Sequence, residues 1–337
     1  MLPTPEPILE LRDLKKHYPI TRGLMRKQVG VVKAVDGVTL SVPAGKTVGL
    51  VGESGCGKTT TGHCIMGGIP ATSGEIVFCH PELGLMDLAK ADPAQLANAR
   101  RAMQMVFQDP NSSLNPRMTV FDIVAEPLVV NKVASGTALR QRVEELLQLV
   151  GLRPEYMQRF PHAFSGGQRQ RIVVARALAL NPRLIIADEP VSALDVSVQA
   201  QILNLLQDLQ EELGLAYLFI SHDLSVVEHI SDSVAVMYVG KLVEFAPTIN
   251  IFHGPKHPYT QALLMSVPRP SPDARPRAVL GGEVPSSVNP PSGCYFHPRC
   301  PFAVSQCLEV EPELAEVEPG HYVRCHRAQE LNLEGVA

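Results

Sequence analysis

The sequence of 337 residues lacks a long hydrophobic segment. No uninterrupted apolar run approaches the ~18 residues that a membrane-spanning helix needs. The first twelve residues include Glu6, Glu10 and Arg12 but no apolar stretch, so we expect no signal peptide. We therefore expect the chain to remain in the cytoplasm, where thiols are reduced, and its seven cysteines not to form a disulfide framework.

An excess of positive charge is also missing. The chain has 30 Lys and Arg residues against 34 Asp and Glu residues, which gives a formal net charge of −4. This balance argues against a basic face that holds nucleic acid by neutralising phosphates, and we expect no nucleic-acid partner. The sequence has no internal repeat and no sustained heptad pattern, which argues against a long coiled coil.

Short apolar runs followed by polar or glycine-rich groups recur along the chain. Val48–Val51, Leu184–Ala187 and Leu215–Ile220 read as buried strands. Apolar residues at helical spacing over 139–150 and 198–213 predict amphipathic helices between them. This alternation predicts an α/β fold, in which ligands bind at the carboxyl ends of the strands.

The proline content of the chain rises sharply after about residue 247. Pro247–Pro301 holds 12 of the 29 prolines, so we expect this stretch to be poor in regular structure, as an extended connector or appendix.

The most specific motif occupies residues 52–59, Gly-Glu-Ser-Gly-Cys-Gly-Lys-Thr, which matches G-x-x-x-x-G-K-[ST] in full. Its glycines let backbone N–H groups point at phosphate oxygens, and the following helix presents its positive end to the same anion. Lys58 is expected to reach the β- and γ-phosphates, and the Thr59 hydroxyl to bind Mg²⁺. Asp188 and Glu189, after a buried strand, would hold the metal through its water shell and orient or deprotonate the attacking water.

A further motif points to a family. Residues 164–171, Phe-Ser-Gly-Gly-Gln-Arg-Gln-Arg, precede a helical run and resemble the signature sequence of ABC-transporter ATPases. The remaining motifs of that family follow in order over roughly residues 8–250. By this resemblance Tyr18 stacks on adenine, Gln108 belongs to the Q-loop, Asp195 to the D-loop, and His222 is the switch histidine.

The resemblance implies a complete set of site residues. The predicted catalytic residues are Glu189, His222, Gln108 and Lys58. The predicted ATP-binding residues are Tyr18, Gly52, Glu53, Ser54, Gly55, Cys56, Gly57, Lys58, Thr59 and Thr60. The predicted Mg²⁺ ligands are Thr59, Gln108 and Asp188. Ser165, Gly166, Gly167, Gln168 and Asp195 are predicted to contact the ATP that a partner subunit holds.

A narrower resemblance is to the ATP-binding subunits of dipeptide and oligopeptide importers, a branch that also includes nickel and glutathione carriers. Residues 14–19, 112–117 and 257–263 and the cysteine-bearing tail carry it. It implies an ATP-driven motor for peptide uptake, peripheral on the cytoplasmic face of the inner membrane. The implied partners are a second, different ATPase subunit, two separate permease subunits and an extracytoplasmic binding protein.

The same resemblance implies the architecture. We expect an ABC-type P-loop ATPase domain over residues 1–255, with a RecA-like core, an antiparallel β subdomain and a helical signature subdomain at about 109–175. Residues 256–337 would form a small Pro-rich extension with four cysteines.

Those cysteines are Cys294, Cys300, Cys307 and Cys325, spaced C-x5-C-x6-C-x17-C. Four thiols suffice for zinc or an iron–sulfur cluster, but the spacing matches neither short zinc pairs nor ferredoxin runs. Some family members carry a [4Fe–4S] cluster in this tail, so the resemblance implies such a cluster here. Zinc binding and unligated thiols remain alternatives. His297, His321 and His326 could also ligate. We expect a metal because the Pro-rich tail offers little apolar core.

Two other functions share the nucleotide motifs. A soluble ABC ATPase acting on DNA or ribosomes usually has a coiled-coil insertion, tandem ATPase domains or a basic surface, and this sequence has none of them. A catalytically inactive regulatory subunit conflicts with the intact Lys58, Asp188, Glu189 and His222.

Overall fold

The computed structural model describes residues 6–23, 27–266 and 281–336. The strands of this part are β1 (Pro7–Arg22), β2 (Lys27–Pro43), β3 (Thr47–Val51), β4 (Ser73–His80), β5 (Gly84–Asp87), β6 (Met103–Val106), β7 (Leu184–Asp188), β8 (Ala216–Ser221), β9 (Ser233–Tyr238), β10 (Lys241–Pro247), β11 (Ala315–Glu318) and β12 (His321–Val323). The helices are α1 (Lys58–Ile65), α2 (Pro93–Ala102), α3 (Pro110–Ser113), α4 (Val120–Val130), α5 (Gly136–Leu149), α6 (Gly166–Leu178), α7 (Val196–Leu213), α8 (Leu224–Ile230), α9 (Thr248–His253), α10 (Pro258–Ser266) and α11 (Ser305–Glu309).

The larger sheet of the described chain places its strands in the order β11-β12-β10-β9-β3-β8-β7-β6. Strands β6, β7, β8, β3 and β9 run parallel to one another, and β10 pairs antiparallel with β9. All residues of β3, β7 and β8 are buried. Helices and loops cover both faces of such a sheet, which is why these strands read as continuous apolar runs in the sequence.

A smaller antiparallel sheet has the order β2-β1-β4-β5 in the described residues. Its long hairpin β1–β2 buries Leu9, Leu11 and Leu14 on one side, in a core shared with β3 and α1. The smaller sheet therefore lies next to the loop that follows β3.

Helices dominate between residues 110 and 178, where α3 to α6 and two 3₁₀ turns, Pro154–Gln158 and Pro161–Ala163, pack together. In α5 the residues Leu139, Val143, Leu146 and Leu147 are buried, which confirms the predicted apolar stripe. The predicted second helix is α7, and Gly214 ends it in the left-handed conformation with φ 65°.

The Pro-rich stretch is more regular than expected. It contains α9 and α10 before residue 267, so the prediction of an extended connector is wrong for this part; residues 267–280 lie outside the described residues. Apolar contacts with the main core, rather than proline content, decide the structure here. Ile251, Phe252, Tyr259 and Leu264 are buried in the core cluster that also contains α5 and α7 residues.

The C-terminal extension is part of this fold rather than an appendix to it. Strand β12 pairs antiparallel with β10 and so extends the larger sheet. Tyr295 and Phe296 are buried in the main core cluster. The expectation that the tail has little apolar core is therefore wrong, because the tail uses the core of the ATPase domain.

A buried polar pair secures the extension. His321 Nε2 lies 2.7 Å from Glu244 Oε1, and both side chains are fully buried. The Glu244 carboxylate also accepts backbone N–H bonds from Lys256 and His257, at 2.6 and 3.1 Å. Glu244 in β10 thus joins β12 to the start of α10.

We predict that His321→Ala lowers the free energy of unfolding by about 3–5 kcal/mol, because removing one partner of a buried pair leaves the other buried without compensation. Urea denaturation of the purified chain measures this. His229→Ala, at an exposed histidine of α8, is the matched control and should change stability by less than about 0.5 kcal/mol. Equal midpoints for the two variants would show that the pair does not secure the tail.

Candidate functional site

The phosphate-type loop joins β3 to α1, which is the strand–loop–helix context the motif requires. Gly52 and Gly57 have φ values of 152° and 111°, in the left-handed region that favours glycine. A Cβ at Gly52 would collide with the backbone oxygen of Met237, and one at Gly57 with that of Ala34. The loop can therefore wrap as it does only with glycine at these two positions.

Two side chains at the start of α1 point into this site. Lys58 Nζ donates hydrogen bonds to the backbone oxygens of Gly52 and Glu53, at 2.8 and 3.0 Å. Thr59 Oγ1 donates to Asp188 Oδ1 at 3.2 Å. Burial raises the pKa of Asp188, and the Thr59 hydrogen bond opposes that shift. Thr59 and Asp188 together offer oxygen ligands of the kind that Mg²⁺ takes.

Three further side chains, those of Gln108, Glu189 and His222, form one hydrogen-bonded group. Gln108 Nε2 donates to Glu189 Oε2 at 2.7 Å, and His222 Nδ1 lies 2.8 Å from Glu189 Oε1. They come from the carboxyl ends of β6, β7 and β8, which are neighbours in the sheet. Glu189 has φ 48°, a conformation that costs a non-glycine residue energy and occurs often at functional sites. This arrangement can orient a water molecule and take a proton from it.

These groups surround one open cleft of about 460 Å³. Its lining includes the predicted residues Ser54, Gly55, Gly57, Lys58, Thr59, Thr60, Gln108, Glu189 and His222. Tyr18, Gly52, Glu53, Cys56 and Asp188 are not among the described lining residues. Tyr18 pairs with Val32 across β1 and β2, and Val32 does line the cleft.

Sequence reasoning missed three lining residues, Val32, Ala34 and Ser287. Val32 and Ala34 belong to β2, and Ser287 belongs to the C-terminal extension. The backbone oxygen of Ser287 accepts a hydrogen bond from Lys33 N at 3.0 Å, which fixes the extension beside β2. No sequence motif indicates these residues, because they reach the cleft only through the folding together of segments that are distant in the chain.

The signature and D-loop residues lie outside the cleft. Ser165 caps α6 in a reciprocal pair with Gln168, and Asp195 caps α7 by accepting from Val198 N at 3.0 Å. None of the five predicted trans-contact residues is among the described residues that line the cleft. One chain therefore carries two separate features: the cleft at the phosphate loop, and the N-terminus of α6, which lies outside that cleft.

Gly167 has a structural reason for lacking a side chain. A Cβ at this position would collide with Val198 Cγ1 of α7. The close approach of α6 and α7 thus requires glycine at this position, independently of the predicted contact with a partner subunit's ATP.

We predict that Gly167→Ala destabilises the fold by about 1–3 kcal/mol through overpacking, and that Gly167→Ala with Val198→Ala recovers most of that loss. Thermal unfolding of the three variants measures the coupling between the two positions. If the double variant is no more stable than Gly167→Ala, the contact with Val198 is not the cause.

The four tail cysteines come together. Cys294, Cys300, Cys307 and Cys325 line one pocket, together with His257, Phe296, His297 and His326 among others. Burial raises the pKa of Cys294 to about 11 and that of Cys325 to about 12. Within the described residues, no set of three or more His, Cys, Asp or Glu side chains has a geometry that could hold a metal ion.

Of the three histidines predicted as possible ligands, His297 and His326 line this pocket. His321 is not among the described lining residues, and its Nε2 pairs with Glu244. His257, which was not among the predicted ligands, also lines the pocket and is fully buried, and burial lowers its pKa to about 3. Its Nδ1 accepts a hydrogen bond from Tyr259 N at 3.0 Å, so the neutral ring is fixed beside the cysteine pocket.

No helix of the described chain has both the length and the apolar character needed to cross a membrane.

Comparison with known proteins agrees with this site. The model of the ABC transporter family matches residues 35–192, and that of the oligopeptide/dipeptide transporter C-terminal region matches 243–307. The oligopeptide transport ATP-binding protein AppF of Bacillus subtilis (strain 168) is 53% identical and covers 95% of this chain and 97% of its own length. The dipeptide transport ATP-binding protein DppF of Escherichia coli (strain K12) is 50% identical, and the match covers 95% of this chain and 94% of that protein.

A solved structure of the ATP-binding cassette MJ0796, dimeric and bound to ADP and Pi, is 29% identical, with a TM-score of 0.61 over 71% of this chain and 98% of that one. Fold and cleft together define an ABC-type ATPase, as predicted. Within that class, the chain belongs to the family of oligopeptide and dipeptide ABC transporter ATP-binding subunits.

Proposed function

We propose that the cleft binds MgATP and that Glu189 is the general base of its hydrolysis. Lys58 and backbone N–H groups of the loop after Glu53 hold the phosphates. Thr59, Asp188 and Gln108 hold Mg²⁺, and Tyr18 stacks on adenine. The observation that carries this proposal is the meeting of Gln108 and His222 on the Glu189 carboxylate, in the cleft that Lys58 and Thr59 also line. His222 and Gln108 keep the Glu189 carboxylate aimed at the water.

The site of one chain is half of a working unit in this proposal. The capped N-terminus of α6 at Ser165 would close on the γ-phosphate in a second subunit, and Asp195 would contact the same nucleotide. These residues do not line the cleft of their own chain, so the phosphate that the N-terminus of α6 would bind must come from another subunit. We propose that the second subunit is a different ATPase chain, so that the pair is a heterodimer.

The proposed cargo is a dipeptide or oligopeptide, as the names of the relatives AppF and DppF state for those proteins. The chain would sit on the cytoplasmic face of the inner membrane, on two permease subunits served by an extracytoplasmic binding protein. We propose an ATPase domain over residues 1–255, with a helical subdomain at about 109–175, and an extension over 256–337.

A groove beside the cleft fits the permease contact. It has a volume of about 400 Å³ and is lined by Phe107, Glu126 and Val130, among others. Phe107 and Val130 are 41% and 71% exposed, and Phe107 precedes Gln108 directly. A partner in this groove would touch Phe107, the neighbour of Gln108, which in turn contacts Glu189. The alternative of a soluble ABC ATPase on DNA or ribosomes has no comparable support in the chain.

We predict that Glu189→Gln lowers the rate of phosphate release by at least about 100-fold, because the amide cannot accept the proton of the attacking water. Steady-state phosphate release by the complex purified with its partner subunits measures this. Glu211→Gln, at an exposed position of α7, is the control and should leave the rate unchanged. If Glu189→Gln hydrolyses ATP as fast as the wild type, the assignment of Glu189 is wrong.

We also propose that the cysteine pocket holds a [4Fe–4S] cluster, with zinc as the second candidate. Its support is the donor set: four thiols of the extension line one pocket, and soft thiolates are the ligands that these groups take. In the described residues these side chains, as they are placed, do not form a metal-binding group, so the four thiols would have to move closer together to bind one. Such a group would be bound by Cys294, Cys300, Cys307 and Cys325 and would cross-link the extension. Binding requires loss of the thiol protons, which burial opposes in the free pocket.

We predict about four iron atoms per chain after anaerobic purification, with broad visible absorption, and a loss of both in Cys300→Ser. Cys79→Ser, at a cysteine outside the pocket, is the matched control and should retain them. Less than about a tenth of an equivalent of both iron and zinc in the wild type would contradict the proposal.

A further inference from the structure

Arg299 of the C-terminal extension binds the phosphate loop directly. Its Nη1 donates to Glu53 Oε2 at 2.8 Å and its Nη2 donates to Glu53 Oε1 at 3.0 Å, so the contact is bidentate. The Arg299 side chain is 3% exposed and that of Glu53 is 24% exposed. Bidentate charge-assisted pairs fix direction as well as distance.

The rest of the Arg299 guanidinium is also fixed. Its Nε donates to Gly281 O at 3.1 Å, and its Nη1 also reaches Tyr238 Oη at 3.4 Å. Burial and these hydrogen bonds fix the position of the guanidinium, and the guanidinium in turn fixes the position of the Glu53 carboxylate.

Glu53 is the second residue of the loop, and all of its polar groups are used. Its N–H donates to Tyr259 Oη at 2.9 Å, and its backbone oxygen accepts from Lys58 Nζ at 3.0 Å. A carboxylate in a loop that binds a triphosphate opposes that binding through like-charge repulsion. An arginine on this carboxylate removes the repulsion and leaves the backbone N–H groups to act on the phosphates.

The extension reaches the site at a second point. Ser287 lines the cleft, and its backbone oxygen accepts from Lys33 N at 3.0 Å. Val288 Cγ1 lies 3.5 Å from the position that a Cβ on Gly30 would take. Arg299 is thus part of a segment that is packed along the cleft, and it stands between Cys294 and Cys300 in the chain.

We propose that Arg299 is a positioning residue of the ATP site, which neutralises and anchors Glu53 so that the phosphate loop attracts the triphosphate. The proposal rests on the assignment of the cleft to MgATP made above. It makes the extension a component of the nucleotide site, independent of whether the cysteine pocket holds a metal.

The test is a set of full-length variants, Arg299→Ala, Arg299→Lys, Glu53→Gln and the double variant Glu53→Gln with Arg299→Ala. Equilibrium binding of the ATP analogue AMP-PNP with Mg²⁺ is measured by calorimetry. We expect Arg299→Ala to weaken binding about tenfold, because it leaves an uncompensated carboxylate in the phosphate loop. The double variant should regain most of the loss, and Arg299→Lys should lie between Arg299→Ala and the wild type.

In the assembled complex, Arg299→Ala should raise KM for ATP by a similar factor and change kcat by less than about twofold, because the lost interaction is with the bound triphosphate in ground and transition states alike.

Arg324→Ala is the matched control for loosening of the extension. Arg324 donates to Leu242 O of β10 at 2.9 Å and to Pro312 O at 3.1 Å, with no hydrogen bond to the phosphate loop in the described structure. We expect this variant to lower the unfolding temperature but to bind AMP-PNP within about twofold of the wild type.

Wild-type affinity in Arg299→Ala, an equal loss in Arg324→Ala, or no recovery in the double variant would each overturn the proposal. A wild-type chain that binds no AMP-PNP would overturn the proposed function itself, and this outcome is distinct from the other three.

Discussion

The shared carboxyl edge of four adjacent parallel strands is the constraint on which the site depends. In the order β3-β8-β7-β6, Val51 pairs with Ser221, Asp188 with Ile220, and Val106 with Ala187. The strands therefore end within about one residue of each other, and the groups that follow them meet. A shift of one residue in any pairing would turn side chains to the opposite face of the sheet and separate these groups.

Glu189 shows how tightly this edge is specified. Its backbone N–H donates to Ile220 O of β8 at 2.9 Å, while its side chain is held by Gln108 and His222. The left-handed φ of Glu189 is maintained by contacts on both sides of β7. Strain of this kind persists only where the surrounding structure fixes the residue from several directions.

The C-terminal extension is coupled to the same edge through polar contacts. Tyr295 Oη donates to Asp36 Oδ2 at 3.2 Å, and Lys241 Nζ lies 3.1 Å from the same oxygen. Burial alone would raise the pKa of Asp36, but Lys241 and His17 outweigh it and hold that pKa at about 2. Asp36 therefore stays ionised and ties β2, β10 and the extension together beside the cleft, where Arg299 also contacts Glu53.

Sequence reasoning succeeded where chemistry and spacing lie within one segment. The loop at 52–59, the strand before Asp188 and the glycine stop at Gly214 are local patterns, and the structure contains each of them.

It failed where the decisive neighbour is distant in the chain. Nothing around Arg299 indicates that its partner is Glu53, 246 positions away. Proline content suggested an irregular connector, yet the main core, rather than local propensity, gave that segment the helices α9 and α10.

This chain is the ATPase subunit of a dipeptide or oligopeptide ABC importer, and we propose that two ATPase subunits complete its site. The most direct test is co-purification of the tagged chain from gently solubilised native membranes, with mass spectrometry of its companions. We expect two multi-span permeases and a second ATPase chain among these companions. Recovery in the soluble fraction with ribosomal or nucleic-acid partners would contradict the transport role and leave the ATP site standing.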